Sequence, residues 1–216
     1  MKKNFLLILF IVIAFAAPAS AVSKTVMVFG DSLSTGYGIP VEAGWVNLLS
    51  QRLQSQHASY RIINASVSGE TSLGGRNRIA QALENHRPGI VILELGANDG
   101  LRGATIKSIY ENLATIIEKC LQANAAVLLV GMQLPPNYGA TYTQKFQAIF
   151  QQLAESYQTE LIPFLLAGFG EKHDYFQPDG IHPNEMAQAM IAENVWEVLQ
   201  TMLDTGKVAA KPDQSE

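Results

Sequence analysis

The sequence predicts a three-layer α/β/α sandwich built on a five-stranded parallel sheet. Short apolar segments alternate with longer segments whose apolar residues recur every three or four positions, which is the pattern of strands alternating with helices. Such alternation is typical of a parallel sheet with helices on both faces. The 216 residues are 48% hydrophobic, enough for one sizeable core, and no repeat or linker divides them. One folded domain is therefore expected.

The first strand is predicted at residues 25–29, an uncharged and largely β-branched run that ends at Gly30. Four further strands are expected at residues 60–65, 90–95, 125–130 and 161–162. Helical spacing of apolar residues predicts helices at 43–56, 73–86, 106–121 and 144–158, and a last one from a cap at Asn184 to residue 203.

The first 21 residues are predicted to be a secretory signal peptide. Lys2 and Lys3 precede an apolar run, and two small-x-small sites follow it, with cleavage after Ala19 or Ala21. An uncleaved membrane anchor is the alternative, but the apolar run is short for a bilayer span. The expected organisation is a signal peptide at 1–21, the domain at 22–204 and a disordered tail at 205–216.

Charge and cysteine content exclude some classes of protein. The formal net charge of −4 offers no basic surface for nucleic acid. Cys120 is the only cysteine, so the chain forms no internal disulfide even in an oxidising compartment. Because Cys120 falls within a helical pattern, it is expected to be a buried structural thiol.

Four predicted strands run into loops that combine glycine with polar residues. The loops begin with Gly-Asp-Ser at 30–32 and continue, after the later strands, at 66–71, 96–100 and 133–139. The carboxyl ends of parallel strands meet at one edge of a sheet, where ligands bind. Ser32 at this edge is either a helix N-cap, the commoner role for such a residue, or a nucleophile.

Asp179 and His182 lie three residues apart, far along the chain. Together with Ser32 they supply the groups needed for acyl transfer: a serine nucleophile, a histidine base and an acid that orients the imidazole. The candidate oxyanion donors are the N–H groups of Ser32 and Gly69 and the side-chain amide of Asn98. These residue types favour a serine hydrolase.

Each residue also has a simpler interpretation. Asn98 fits a turn residue, Gly69 a loop glycine and His182 a surface histidine. A metal site made from His173, Asp174, Asp179 and His182 is conceivable, but it lacks a helical histidine pair or a cysteine ligand. Ser34 stands where the nucleophile elbow of α/β-hydrolases needs glycine. A secreted binding module with a decayed site is a further alternative, although all the catalytic residue types are present.

Four sequence blocks together resemble the SGNH/GDSL hydrolases. They are Gly-Asp-Ser-Leu at 30–33, Ser-Gly-Glu-Thr-Ser at 68–72, Asn-Asp-Gly-Leu-Arg-Gly at 98–103 and Asp-Gly-Ile-His-Pro-Asn at 179–184. The likeness runs from about residue 25 to 203 and is greatest to the bacterial periplasmic thioesterase branch, whose members act as acyl-CoA thioesterase, lysophospholipase and arylesterase. Ala97 departs from that branch, which often has glycine there.

The resemblance implies a flavodoxin-like SGNH hydrolase fold and a Ser-His-Asp mechanism without metal or cofactor. It makes Ser32 the nucleophile, completes the triad with Asp179 and His182, and assigns the oxyanion hole to Ser32, Gly69 and Asn98. The implied partner is a small-molecule acyl ester or thioester, with lysophospholipid among the candidates. The protein is expected to act in the periplasm, as a monomer without a stable membrane anchor.

Two loops are predicted to form an acyl groove for medium or long chains. Residues 133–139 and 101–106 bring apolar side chains and one tyrosine to the sheet edge, and 101–106 is expected to be mobile because Gly100 and Gly103 flank its start. The predicted substrate contacts are Asp31, Leu101, Leu134, Pro135, Tyr138 and Ile181. The alternatives are ordinary packed loops and, as a function, a carbohydrate O-acetylesterase of the same family.

Overall fold

The protein is described by a computed structural model over residues 24–206. Its sheet has five parallel strands in the order β2-β1-β3-β4-β5. They are β1 (Thr25–Gly30), β2 (Arg61–Asn64), β3 (Ile90–Glu94), β4 (Ala126–Val130) and β5 (Glu160–Ile162). The predicted signal peptide and all but two residues of the predicted tail lie outside the described residues.

Seven α-helices cover the sheet in the described range. They are α1 (Ser32–Thr35), α2 (Trp45–Gln56), α3 (Ser72–His86), α4 (Ala97–Leu101), α5 (Ile106–Gln122), α6 (Ala140–Tyr157) and α7 (Glu185–Asp204). Helices α2 and α7 pack against each other, and α5 packs between α3 and α6. These two groups cover opposite faces, as right-handed crossovers on this strand order require. The predicted three-layer α/β/α architecture is confirmed.

Burial along the strands follows their positions in the sheet. Every residue of β1 and β3 is buried because helices cover both faces of these central strands. The edge strands β2 and β5 are more exposed. Parallel register places Gly30, the last residue of β1, beside Glu94, the last residue of β3. Two polar segments therefore leave the sheet side by side.

The structure departs from the sequence prediction mainly at short elements. The short helices α1 and α4 were not predicted, because Asn-Asp-Gly and Asp-Ser are typical of turns. Helix α6 begins at Ala140, four residues before the predicted start at 144. The predicted cap of the last helix is confirmed, since the Asn184 side chain accepts the Met186 N–H at 3.0 Å.

Cys120 is fully buried in α5, as predicted, and burial raises the pKa of its thiol to about 12. No helix between residues 24 and 206 combines the length and hydrophobicity needed to cross a bilayer.

Candidate active site

The candidate site lies where the strand order reverses. Strand β2 lies on one side of β1, and β3, β4 and β5 follow on the other. Loops leaving β1 and β3 therefore diverge and open a crevice at the carboxyl edge of the sheet. Ser32 follows β1 directly and Asn98 follows β3, so both lie at this crevice.

Ser32 is the first residue of α1, but it does not cap that helix. The cap is Asp31, whose carboxylate Oδ1 accepts the Leu33 N–H at 3.0 Å. The Ser32 hydroxyl is consequently free to face the crevice, where its Oγ lies 2.9 Å from Nε2 of His182. Of the two roles that the sequence left open for Ser32, the N-cap is therefore excluded, because the neighbouring aspartate caps α1.

His182 is held by Asp179 through a short turn. Oδ2 of Asp179 lies 2.7 Å from the ring Nδ1, and its Oδ1 accepts the backbone N–H groups of Ile181 and His182 at 2.9 and 3.0 Å. The Tyr37 ring lies against the imidazole with a centroid separation of 4.6 Å. The imidazole is thereby oriented with Nε2 toward Ser32.

The same contacts set the charge of Asp179. Desolvation raises the pKa of this carboxyl, but hydrogen bonds from the His182 backbone and ring and from Ile181 outweigh it and lower the pKa to about 2. Asp179 is therefore ionised at neutral pH, which stabilises the imidazolium that forms when His182 takes a proton.

The candidate oxyanion donors come from three separate segments. Within residues 24–206 the Ser32 and Gly69 amides donate to no protein acceptor. Gly69 has φ of +76°, a conformation that side chains disfavour, and its loop is fixed to α1 by a 2.7 Å hydrogen bond between Ser68 Oγ and Thr35 Oγ1. Asn98 lies in α4 and its Nδ2 donates to Oδ2 of Asp31 at 2.9 Å.

A buried carboxyl pair, which was not predicted from the sequence, adjoins Ser32. Glu94 and Asp31 are 0% and 1% exposed. Oε2 of Glu94 accepts the Asp31 N–H at 3.2 Å and the Ser34 hydroxyl at 2.7 Å. Burial, followed by repulsion from Asp31, raises the pKa of Glu94 well above its ordinary value. A charged residue at the end of an otherwise apolar strand was the signal that could have found it.

A cavity of about 1070 Å³ opens beside Ser32 and His182. Its apolar wall consists of Leu33, Ala97, Leu101, Met132, Leu134, Pro135, Pro136, Phe164, Leu166, Phe169, Phe176 and Ile181. Its polar lining includes Asp31, Asn98, Gln133, Glu171, Lys172 and His173. Five of the six predicted substrate contacts thus line one cavity, although both carboxylate oxygens of Asp31 already accept protein hydrogen bonds.

Tyr138 does not line this cavity. Its hydroxyl donates to the Leu101 carbonyl at 3.0 Å, and the Tyr142 hydroxyl donates to the Ala104 carbonyl at 2.6 Å. Both bonds restrain the 101–106 loop that the sequence predicts to be mobile. Gly100 contributes no hinge here: it is helical, and a Cβ there would lie 2.7 Å from the Leu134 side chain.

The segment at 164–176 is the cavity wall that sequence reasoning did not include. It follows β5, and its three phenylalanines line the cavity together with residues of the loop after β4. Loops that follow parallel strands lie at one edge of the sheet, and this applies to β5 as it does to the first four strands. The segment could therefore have been predicted to lie at the same edge.

The metal-site alternative has no geometric support in the described residues. No group of three or more His, Cys, Asp or Glu side chains between residues 24 and 206 is arranged to hold a metal ion. Asp179 and His182 are instead paired with each other.

Comparisons with known proteins agree with the fold. The sequence model of the GDSL-like Lipase/Acylhydrolase family matches residues 28–190. Esterase TesA of Pseudomonas aeruginosa is 43% identical over 183 residues, which cover 85% of this chain and 91% of that protein. Thioesterase 1/protease 1/lysophospholipase L1 of Escherichia coli K12 is 39% identical over 185 residues, covering 86% and 88%.

Among solved structures, the psychrotrophic esterase EstA from Pseudoalteromonas sp. superposes with a TM-score of 0.80 at 38% identity, covering 84% of this chain and all of EstA. The family model spans most of the chain, and the curated relatives match it along nearly their whole length. This chain therefore belongs to the GDSL-like lipase/acylhydrolase family of SGNH hydrolases.

Proposed function

We propose that this protein hydrolyses acyl esters and thioesters through an acyl-enzyme formed on Ser32. It is a carboxylic ester and thioester hydrolase, in keeping with its family and with relatives named esterase and thioesterase. The observation that carries the mechanism is the pair of contacts from Ser32 Oγ to His182 Nε2 at 2.9 Å and from His182 Nδ1 to Asp179 Oδ2 at 2.7 Å, at the mouth of one cavity.

In the acylation step, Ser32 Oγ attacks the acyl carbonyl carbon and its proton passes to Nε2 of His182. The ionised Asp179 stabilises the resulting imidazolium. The tetrahedral oxyanion is bound by the N–H groups of Ser32 and Gly69 and by the amide of Asn98. When the intermediate collapses, His182 donates the proton to the leaving group, which is the oxygen of an alcohol or the sulfur of a thiol.

Deacylation repeats these steps with water as nucleophile. His182 takes a proton from the water as it attacks the acyl carbon, and the same donors bind the second oxyanion. The collapse releases the carboxylic acid and restores the Ser32 hydroxyl. No metal or redox group is required by this scheme, because the carbonyl is polarised by N–H donors alone.

The cavity favours substrates with a medium or long acyl chain over acetyl esters. Its apolar wall is far larger than an acetyl group needs, and its volume of about 1070 Å³ lies at the upper end of small-molecule sites. We therefore propose medium- or long-chain acyl esters and thioesters, lysophospholipid included, as the substrate class. The proposed setting is the periplasm after removal of the signal peptide, with the monomer as the active unit.

Labelling with a fluorophosphonate probe tests the mechanism. The probe should attach covalently to Ser32, and the Ser32→Ala variant should remain unlabelled and lose ester turnover while unfolding at the temperature of the parent protein. Labelling at another residue, or turnover retained by Ser32→Ala, would overturn the assignment of the nucleophile.

Turnover of p-nitrophenyl esters and acyl-CoAs with two to sixteen carbons tests the substrate class. Each buried methylene is worth about 0.8 kcal/mol, so kcat/KM should rise through the medium chain lengths. A maximum at acetyl with a steep fall thereafter would contradict the acyl groove and support the O-acetylesterase instead.

A further inference from the structure

The Asn98 amide depends on Asp31 for its orientation. A side-chain amide has a donor end and an acceptor end of nearly the same shape, and only the nitrogen can bind an oxyanion. In the structure Nδ2 donates one of its two hydrogens to Oδ2 of Asp31 at 2.9 Å, and the second hydrogen remains for the cavity, which Asn98 lines.

An ionised carboxylate selects this orientation because it can only accept hydrogen bonds. If the amide turned over, its oxygen would face the Asp31 carboxylate and the two would repel. The other oxygen of Asp31, Oδ1, is occupied by the Leu33 N–H at 3.0 Å, which keeps Oδ2 directed at Asn98. Asp31 is 1% exposed, so water does not replace it in this role.

We propose that Asp31 is a positioning residue that turns the Asn98 amide nitrogen toward the oxyanion, and that its negative charge is required for this. The inference rests on the proposed function, since it assigns Asp31 a part in that same reaction. It replaces the direct substrate contact expected for Asp31 from the sequence with an action through Asn98.

The surroundings of Asp31 allow it to lose this charge in mild acid. Burial is the largest influence on its pKa and raises it, the Leu33 N–H, the Asn98 amide and His182 lower it, and Asp99 raises it, with a pKa of about 6 as the result. Glu94, from β3, is the third titratable neighbour, and the Asp31 charge raises its pKa in turn. Once protonated, Asp31 can donate to the Asn98 oxygen and allow the amide to turn away.

Two substitutions separate positioning from a merely structural role. Asp31→Asn preserves the size of the side chain. If the oxygen of the new amide accepts the Leu33 N–H, its NH₂ group faces Asn98 and favours the Asn98 oxygen there instead of the nitrogen. Asp31→Ser preserves an N-cap acceptor yet is too short to reach Asn98. Both should lower kcat by roughly 10- to 100-fold with KM changed less than about threefold, because an oxyanion donor acts mainly in the transition state. Asp204→Asn, at the exposed end of α7, is the matched control.

A double-mutant cycle with Asn98→Ala gives the decisive measurement. Asn98→Ala alone should lower kcat by roughly 10²–10³. If Asp31 acts through Asn98, adding Asp31→Asn or Asp31→Ser to that variant should cost less than about threefold more, because no amide remains to be oriented. Multiplicative losses would overturn the proposal and leave Asp31 as a helix cap that acts independently of Asn98.

The decrease of kcat at acidic pH provides a second test. The Asn98→Ala variant retains His182 but has no amide to turn, so its activity should fall less steeply below pH 6 than that of the parent protein. If kcat of the two proteins fell equally with decreasing pH, the proposed role of the Asp31 charge would be contradicted. The parent protein in the same assays must turn over esters and label at Ser32, so failure of the proposed function is distinguishable from failure of this inference.

Discussion

Asp99 accepts two hydrogen bonds from Ser72, one from its backbone N–H and one from its hydroxyl, each at 2.7 Å. Asp99 follows Asn98 in α4, and Ser72 begins α3, three residues after Gly69. This pair therefore joins the two segments that carry Gly69 and Asn98, the second and third candidate oxyanion donors. The Ser72 hydroxyl also accepts from Asn112 of α5 at 3.1 Å, so the junction is anchored in the helical layer.

Breaking this junction should lower both stability and turnover. Asp99→Asn presents an N–H₂ group to Ser72, whose backbone N–H and hydroxyl already need acceptors in a buried environment. We expect a loss of about 1–3 kcal/mol in the free energy of unfolding and a lower kcat at nearly unchanged KM. Denaturant unfolding and ester turnover measure the two effects, with exposed Glu84→Gln on α3 as the control. A stable variant with the parent kcat would show that the junction does not position the donors.

Removing the charge of Asp179 should slow the reaction without unfolding the protein. Asp179→Asn can no longer hold the imidazole tautomer, and kcat should fall by roughly 10²–10⁴. Asp174→Asn, an exposed substitution in the preceding turn, is the matched control. If Asp179→Asn turned over within threefold of the parent, the acid of the triad would have to be sought elsewhere.

The lowered pKa of Asp179 also predicts how this variant behaves in acid. The folded-state pKa of about 2 lies below the ordinary value of 3.8, so the ionised carboxylate contributes stability above pH 4 that is lost as pH falls toward 2. The stability difference between the parent and Asp179→Asn should therefore narrow as pH falls from 4 toward 2. The contribution is small, because 39% of the Asp179 side chain is exposed.

Glu94→Gln should stabilise the protein at alkaline pH. Burial raises the pKa of Glu94 above its ordinary 4.5, so the folded state holds a proton on this carboxyl to higher pH than the unfolded chain does. The native state thus loses stability as pH rises above 4.5, by about 1.4 kcal/mol for each unit that separates the two pKa values. Glutamine removes this penalty and can preserve the acceptor for Asp31 and Ser34.

The measurement is the Tm of Glu94→Gln relative to the parent protein at pH 4.5, 6 and 8. The difference should grow in favour of the variant with rising pH, whereas exposed Glu84→Gln should show no such trend. A variant that is less stable at pH 8 than at pH 4.5, each relative to the parent, would mean that Glu94 is ionised in the folded state.

Shortening side chains that line the cavity should lower kcat/KM selectively for substrates with long acyl chains. Leu101 and Ile181 line the cavity, come from distant segments of the chain and are not fully buried, so neither Leu101→Ala nor Ile181→Ala removes a fully buried side chain. Each should lower kcat/KM for octanoyl esters by roughly 3- to 10-fold, since each buried methylene is worth about 0.8 kcal/mol, and leave acetyl esters within twofold. Leu121→Ala, on exposed surface away from the cavity, is the control. Equal losses for both chain lengths would exclude these residues from an acyl groove.

Much of the fold could be predicted because its signals are local. The apolar runs of β1 and β3 and the helical spacing in α5 and α7 are readable within one window of sequence. Alternation of strand and helix then implies a parallel sheet, which brings the loops after the strands to one edge. Residue chemistry was then enough to select as candidates Ser32 in the first of those loops and, far along the chain, Asp179 and His182.

The sequence by itself thus determined the architecture, the edge of the sheet that bears the site and the residue types available there. Only the tertiary structure decided that Asp31 rather than Ser32 caps α1, that Tyr138 restrains a loop instead of lining the cavity, and that residues 164–176 form a wall. It also revealed the Asp31–Asn98 and Asp99–Ser72 contacts, whose partners lie 67 and 27 residues apart. Such pairs leave no local periodicity, because strand order and register alone bring them together.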